Sequence, residues 1–398
     1  MGSGNALRGS AAGRIVRGCV LFAMALLLSG QSATTAAASV EDTRGPRTYR
    51  TLAGSASTAA APVTTSPTVG MAFGGTLSWM PAEQLTAAFD DAAALGVTSV
   101  RADLSWSEVQ TAGPDAFDWS RFDRVVAAAR SRKLTVLPIL AYTPTWARPA
   151  GCTSGDKCAP ADTAAFAKFA RAASARYGPL GVHQWEVWNE QNAPAFWAPA
   201  VNPRAYAKLL RDARTAIRAV DPSARVLMGG LTAAPAGQGR LGAADFLAQV
   251  VAQTGKTFDG VAFHPYTFPF LPSLQATWKT PWSQIGELKA VLDRFGVRGV
   301  QIWITEFGAP TGGPGTASGG LPGAIPSTTT HVTEQLQAKM AEDVIRTIKA
   351  DPRIGGLYWY SWKDLGQNSS TIENFFGLRR VDGSPKPAYA AFRQANVG

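Results

Sequence analysis

Two stretches of the sequence end an apolar, aromatic run with a glutamate. One runs from Trp185 to Glu190 and ends in Asn-Glu, and the other runs from Val300 to Glu306. Each pattern is typical of a buried strand. A carboxylate at the end of a buried strand is costly to place unless another group pairs with it or a reaction uses it. The two stretches therefore predict a pair of carboxyl groups that face one another.

Paired carboxyl groups have the chemistry that cleavage of a glycosidic bond requires. One group protonates the leaving oxygen, and in retaining enzymes the other, about 5–5.5 Å away, attacks the anomeric carbon. The acid must stay protonated near neutral pH, which burial and a neighbouring negative charge can achieve. The attacking carboxylate must stay ionised. Arg101 could supply its positive partner, and the hydroxyl of Tyr266 could donate a hydrogen bond to it.

The elements that would position these groups alternate regularly from Val69 to the C-terminus. Short apolar segments are followed by segments with helical apolar spacing, such as 118–132, in which Phe122, Val125 and Ala129 share one face. The alternation implies a parallel sheet, and it contains eight strand–helix pairs. We therefore predict a single α/β domain with the (β/α)₈ (TIM) barrel fold, which typically takes about 250 residues or more. An open doubly wound sheet is disfavoured, because no glycine-rich phosphate turn follows the first strand.

In such a barrel the reacting groups sit at the carboxyl ends of the strands. Glu186 has the same parity as Glu190, so both can face the barrel interior. The polar residues predicted at the strand ends are Arg101, Asp103, Asn189, Glu190, His264, Tyr266, Glu306, Lys363 and Asp364. Tryptophans near the same ends, whose faces would suit sugar rings, are Trp146, Trp188, Trp197, Trp303, Trp359 and Trp362.

Several of these residues also have a purely structural explanation. Glu190 and Glu306 could cap helices that begin just after the strands. Arg101 could form an ion pair with Asp103 inside the barrel. His264, which precedes a proline, could be a packed loop residue.

The order of these motifs resembles that of a known group of enzymes. Trp-Asn-Glu at 188–190, followed by Thr-Glu-Phe-Gly at 305–308, is similar to the signature of the retaining (β/α)₈ glycoside hydrolases, the clan of cellulases, mannanases and β-xylosidases. The segments 106–119, 144–147 and 377–389 are similar to those of family 39 and its relatives. The resemblance covers about 69–392, and it implies a family 39-like or family 5-like enzyme.

This resemblance also implies a role for each site residue. Glu190 would be the acid/base and Glu306 the nucleophile. Asn189 would bond the sugar 2-hydroxyl, and Trp362 would form the floor of the subsite at the cleaved bond, although Trp359 and Tyr360 compete for that position. The complete set of substrate-binding residues that it implies is Arg101, Trp146, Asn189, His264, Tyr266 and Trp362.

The N-terminal region is typical of a secreted protein. Three arginines precede the apolar run 19–28, and Ala36 to Ala38 offer a small-residue cleavage site. That run is too short to span a bilayer comfortably, since a transmembrane helix needs about 20 apolar residues. We therefore expect a signal peptide at 1–38, a disordered Ser/Thr/Ala/Pro-rich linker at 39–67 and the catalytic domain at 68–398. An uncleaved N-terminal anchor is the alternative.

Two cysteines follow the predicted signal, Cys152 and Cys158, and flank a polar loop. In an oxidising compartment a small-loop disulfide is the expected state. A metal pair is disfavoured, because no histidine or further cysteine lies close in sequence. No histidine, cysteine or acidic cluster has the spacing of a catalytic metal site, so we expect no cofactor.

The formal net charge of +10 is scattered along the helical segments. Scattered charge favours a soluble basic surface over nucleic-acid binding. We expect a monomer whose partner is a carbohydrate substrate, with no nucleic acid and no stable membrane association once the signal is removed.

These inferences together predict a secreted retaining glycosidase. It would cleave β-glycosidic bonds in poly- or oligosaccharides by double displacement. The alternatives are a carbohydrate-binding barrel without hydrolysis and a transglycosylase. Fold does not determine the sugar. Exo or endo action depends on the loops at 152–158 and 308–330, which we expect to overhang the barrel mouth.

Overall fold

The computed structural model describes residues 66–398. The predicted signal peptide and almost all of the predicted linker lie outside these residues.

Eight parallel strands form a closed barrel, with helices between consecutive strands. The strands between residues 66 and 398 are β1 (Thr68–Ala72), β2 (Ser99–Ser105), β3 (Thr135–Ala141), β4 (Gln184–Asn189), β5 (Arg225–Thr232), β6 (Gly260–His264), β7 (Gln301–Phe307), β8 (Thr316–Ser318), β9 (Thr329–Val332) and β10 (Ile354–Tyr360). The barrel order is β1-β10-β7-β6-β5-β4-β3-β2. The prediction of a single (β/α)₈ barrel is confirmed.

The helices pack around the outside of this barrel. They are α1 (Ala82–Ala94), α2 (Trp106–Val109), α3 (Ser120–Ser131), α4 (Thr163–Tyr177), α5 (Pro203–Arg218), α6 (Ala243–Thr254), α7 (Gln284–Arg294), α8 (Glu334–Lys349) and α9 (Pro387–Val397). The periodic apolar positions of α3, among them Phe122 and Ala129, are buried. The Asp162 side chain caps α4 by accepting a hydrogen bond from Ala164 N. Apolar spacing and capping therefore explain where the helices form.

The segment 308–330 differs from its prediction as a loop without secondary structure. It contains β8 and ends in β9, and the two form a separate two-stranded parallel sheet after β7. The short helix α2 is also absent from the sequence prediction. Elements of three or four residues are too short to show an apolar period.

A disulfide joins Cys152 to Cys158, as the sequence predicts. Between residues 66 and 398, no helix has the length and apolar character needed to cross a membrane. The same part of the chain has no group of three histidine, cysteine or acidic side chains that could hold a metal ion.

Candidate active site

Arg101 is the buried centre of the site. Its guanidinium group is fully buried and makes two bonds to Glu186 of β4, with Nε donating at 2.7 Å and Nη2 at 2.8 Å. Nη1 donates to Glu306 Oε1 at 2.6 Å, and Nη2 donates to Asn189 Oδ1 at 3.0 Å. A single cation on β2 therefore holds side chains from β4 and β7 in place. Asp103 receives no hydrogen bond from Arg101 in the described part of the chain, so the two do not form the alternative ion pair.

Glu306, on β7, has both carboxylate oxygens engaged. Oε1 accepts the bond from Arg101, and Oε2 accepts a hydrogen bond from the Tyr266 hydroxyl at 2.8 Å. Burial alone would raise the pKa of Glu306, but His264, Arg101 and the Tyr266 hydrogen bond hold that pKa below its ordinary value. Glu306 is therefore ionised near neutral pH.

Glu190, directly after β4, has the opposite tendency. Burial raises the pKa of Glu190, the nearby charge of Glu306 raises it further, and the contact with His264 offsets only part of this effect. The net pKa of Glu190 lies above its ordinary value. Two glutamates in one site thus favour different protonation states.

His264, at the end of β6, lies against both carboxyl groups. Its Nδ1 atom is 3.1 Å from Glu190 Oε1 and 3.7 Å from Glu306 Oε2. The other ring nitrogen, Nε2, is 3.1 Å from Thr305 Oγ1. Because both carboxyl oxygens lie close to one nitrogen atom, the two glutamates face the same small volume.

The backbone is strained where β4 ends. Trp188 has a φ of 73° and Glu190 a φ of 48°, a left-handed region that non-glycine residues seldom adopt. The Trp188 indole is fixed by a hydrogen bond to Phe196 O at 2.7 Å and by edge packing against Trp197. Strain of this kind costs about 1–3 kcal/mol per residue and is found most often at functional sites. The packing of Trp188 therefore sets the direction in which Glu190 leaves the strand.

Most of the tryptophans near the strand ends are unavailable to a ligand. Trp188, Trp197, Trp303 and Trp359 are all at most 2% exposed. They pack in the core, so they cannot present a face to a sugar ring.

The two tryptophans in the predicted substrate-binding set also have other partners. The Trp146 indole donates to Gln110 O at 2.7 Å. Trp362 is 7% exposed, and its indole donates to Asp91 of α1 at 2.7 Å. Within residues 66–398 these two indole nitrogens bond groups other than the glutamate pair, whereas Arg101, Asn189, His264 and Tyr266 bond the pair or one another.

Tyr360 is the last residue of β10, and it competes with Trp359 and Trp362 for the role of sugar platform. It packs on Phe376 with ring centroids 5.5 Å apart, and Phe376 also packs on Tyr266. Of Trp359, Tyr360 and Trp362, Tyr360 is therefore the residue that shares a neighbour with the glutamate site.

Two further acidic residues belong to the site. Glu186 is fully buried, and it also accepts a hydrogen bond from Gly230 N at 2.8 Å. Glu186 is therefore itself fixed, and it helps to hold Arg101 in place. Asp103 lies on β2, two residues after Arg101, and burial together with the charge of Glu306 raises the pKa of Asp103 to about 6, although Lys157 and Arg101 oppose the shift. Strand parity is the sequence signal for both positions, but parity does not reveal their partners.

Comparison with known proteins supports the same enzyme class. The family model of cellulase (glycosyl hydrolase family 5) matches residues 59–364. No curated protein matches the chain in sequence.

Solved structures with the same fold include several glycoside hydrolases. A family 39 glycoside hydrolase from Bacteroides cellulosilyticus WH2 is 23% identical, with a TM-score of 0.63 over 83% of this chain and 64% of that one. A monomeric beta-xylosidase from Caulobacter crescentus CB15 is 18% identical, with a TM-score of 0.59 over 84% and 69%. The GH5_18 enzyme from Streptomyces cattleya, in complex with GlcNAc, is 19% identical, with a TM-score of 0.60 over 83% and 79%. The chain thus spans less than two thirds of the first of these structures.

At these identities the structures show the fold, whereas the family model covers well over half of the chain and shows the family. The predicted resemblance to the (β/α)₈ glycoside hydrolases of the cellulase and β-xylosidase clan is confirmed. The chain belongs to the cellulase family, glycosyl hydrolase family 5, whose members are retaining glycosidases.

Proposed function

We propose that this protein is a secreted enzyme that cleaves β-glycosidic bonds in poly- or oligosaccharides by double displacement. Glu306 is the nucleophile and Glu190 is the acid/base. The observation that carries the proposal is the arrangement at His264, where one ring nitrogen lies within 3.7 Å of both carboxyl groups. The surroundings favour the charged form of Glu306 and the protonated form of Glu190.

The first step forms a covalent intermediate. Glu190 gives its proton to the leaving glycosidic oxygen while a carboxylate oxygen of Glu306 bonds to the anomeric carbon. Arg101 and Tyr266 keep Glu306 ionised and oriented for this attack. Both carboxyl groups lie against one ring nitrogen of His264, and this closeness supports the retaining mechanism, in which the two groups are about 5–5.5 Å apart.

The second step releases the sugar. Once Glu306 is part of an ester it no longer carries a negative charge, so one cause of the raised pKa of Glu190 disappears. Glu190 can then accept a proton from water, and the hydroxide attacks the anomeric carbon and restores Glu306. The change in the charge of Glu306 thus favours the protonated form of Glu190 in the first step and the ionised form in the second.

Asn189 is suited to hold the sugar. Its Oδ1 atom accepts the hydrogen bond from Arg101, which leaves the amide nitrogen as the group that can donate. A hydrogen bond from this nitrogen to the sugar 2-hydroxyl would strengthen in the transition state.

Trapping of the intermediate tests the proposal. The first screen uses aryl β-xylosides, β-mannosides and β-glucosides, since similar structures are described as a beta-xylosidase and an exo-beta-1,4-mannosidase. The best substrate is then made as its 2-deoxy-2-fluoro analogue, and the inactivated protein is digested for mass spectrometry. We expect the adduct on Glu306 and a product of retained configuration. An adduct on another residue, or an inverted product, would contradict the assignment.

Sugar binding without hydrolysis or adduct would instead favour the binding barrel, and efficient transfer to added sugar acceptors would favour the transglycosylase.

Secretion, domain boundaries and oligomeric state are part of the same proposal. The chain is exported and cleaved near Ala38. A linker then leads to the barrel domain at 68–398. It acts as a monomer on its carbohydrate substrate. N-terminal sequencing of protein recovered from the culture medium, together with light scattering, tests all three points. Recovery only in the membrane fraction with residues 1–38 still attached would favour the uncleaved anchor.

A further inference from the structure

A cleft of about 260 Å³ opens beside the barrel mouth. It lies between the segment after β1 and the helices that follow β2, and its lining includes Trp79, Asp103, Ser107, Glu108 and Arg121. These residues lie on or follow the carboxyl ends of two neighbouring parallel strands. The cleft is therefore on the same face of the barrel as Glu190 and Glu306.

Asp103 connects the cleft to the glutamate site. It shares a strand face with Arg101, which binds Glu306 directly. Within residues 66–398 the Asp103 carboxylate makes no hydrogen bond or ion pair, and the charges of Lys157, Arg101 and Glu306 all act on it. A carboxylate without a protein partner at this junction can accept hydrogen bonds from the hydroxyl groups of a ligand.

Trp79 supplies a fixed aromatic surface in the cleft. The Arg121 guanidinium lies 3.2 Å from the ring centroid, and the indole nitrogen donates to Glu108 Oε1 at 3.0 Å. The guanidinium covers one face of the ring, but the residue is still 40% exposed. A ring that is already held in place loses little conformational entropy when a ligand stacks on it. Trp146 is partly buried and Trp362 is 7% exposed, so both offer less surface to a ligand than Trp79 does.

The charges in the cleft restrict the ligand. Asp103, Glu108 and Asp118 line it together with Arg121, and the charge of Lys157 also acts on Asp103 and Glu108. An excess of carboxylates repels uronate and sulfate groups, whereas hydroxyl groups can donate to them. Ser107 adds a hydroxyl that can act as donor or acceptor.

We propose that this cleft is a distal subsite that binds an uncharged sugar unit of the chain whose bond is cleaved between Glu190 and Glu306. Trp79 stacks on the ring of that unit, and Asp103 and Glu108 accept its hydroxyl hydrogens. The inference rests on the proposed function and extends it, because the enzyme then prefers oligosaccharides that reach the cleft over glycosides of one sugar.

The test compares substrates of different length. kcat/KM is measured for 4-nitrophenyl β-xyloside, β-mannoside and β-glucoside and for xylo-, manno- and cello-oligosaccharides of two to five units. We expect kcat/KM to rise with length for the sugar that is hydrolysed. In Trp79→Ala the ratio of kcat/KM for the longest oligosaccharide to that for the nitrophenyl glycoside should fall on the order of tenfold. Trp79→Leu, which keeps an apolar side chain, should show the same fall and serves if the alanine variant does not fold.

Phe295→Ala is the matched control. Phe295 is also 40% exposed, but it follows α7 and precedes β7, so it lies at the opposite end of the barrel. We expect its ratio to equal that of the wild type. A flat length profile in the wild type, or an unchanged ratio in both Trp79 variants, would overturn the subsite and leave the proposed hydrolysis intact.

Calorimetric titration with the same oligosaccharides separates the two proposals. If the wild type hydrolyses none of them, the proposed function fails, but binding can still be measured. The subsite then predicts a Kd about tenfold weaker in Trp79→Ala than in Phe295→Ala. Equal binding by the two variants, or no binding by the wild type, would contradict it.

Discussion

The ring of His264 lies directly against the backbone of Gly230. A Cβ atom at residue 230 would be 2.0 Å from His264 Nε2, far inside van der Waals contact. Because residue 230 of β5 has no side chain, there is room for the His264 ring, which faces both glutamates.

Gly230→Ala should accordingly reduce activity without a change in any polar residue of the site. The new methyl group must displace His264, and a misplacement of about 1 Å in a reacting site can lower the rate on the order of a hundredfold. We expect kcat to fall by about this factor, as measured on the best aryl glycoside. Gly286→Ala is the control, since a Cβ atom there meets nothing within 4 Å. Equal activity of the two variants would show that His264 is not held by this contact.

The dependence of activity on pH should be bell-shaped. Glu306 must be ionised, and its pKa is lowered, so activity is lost as pH falls through a value below the ordinary glutamate range. Glu190 must be protonated in the first step, and its pKa is raised, so activity is lost as pH rises through a value above that range. A pH profile of kcat/KM measures both limbs. In Glu190→Ala, a dinitrophenyl glycoside, whose leaving group needs no acid, should show no alkaline limb. Persistence of that limb would assign it to another group.

Tyr266→Phe should move the acidic limb of the profile to higher pH. The hydroxyl donates to Glu306 Oε2 at 2.8 Å and helps to lower the pKa of Glu306, so its removal lets that pKa rise. A lost hydrogen bond to a charged group should reduce kcat roughly tenfold to a hundredfold. Tyr358→Phe is the control, because its buried hydroxyl bonds Ser99 near the opposite end of the barrel. An acidic limb that stays in place in Tyr266→Phe would show that the hydroxyl does not control the ionisation of Glu306.

Arg101→Met should destabilise the fold as well as inactivate the site. It leaves Glu186 fully buried without a cation, and breaking a buried pair in this way costs about 3–5 kcal/mol. Urea unfolding measures the loss, and a second change, Glu186→Gln, should recover part of it. Arg132→Met removes an ion pair with Asp90, whose side chain is 61% exposed, and should cost at most about 1 kcal/mol. Similar losses in the two single variants would mean that Arg101 is not a structural centre.

The barrel could be predicted from sequence because its elements obey simple periodicities. Parallel strands buried on both faces appear as continuous apolar runs, and β4 ends one residue before Glu190 and β7 one residue after Glu306. The cation beside Glu306 could also be suggested, since the sequence places Arg101 on the second strand, and the structure shows the bond between them.

Partners and exposure could not be predicted in the same way. Nothing in the sequence indicates that Glu186 takes two bonds of Arg101, or that the Trp362 indole is held by Asp91, because both depend on strands and helices that meet only in the folded barrel. The same is true of Trp79, whose ring lies against the Arg121 guanidinium of α3 and is still 40% exposed.

The pairing of β1 with β10 has a consequence for biosynthesis. Residues 68–72 find their partners at 356–360, so both glutamates are synthesised long before the barrel can close. Until then the growing polypeptide has two unpaired strand edges, β1 and β7, and unpaired edges promote aggregation. A pairing between segments so distant in sequence also forms slowly. For a chain that is exported, as proposed above, late closure keeps the polypeptide unfolded enough to pass through a translocation channel. A chaperone that holds unfolded chains would have to cover the two strand edges until residue 360 has been synthesised.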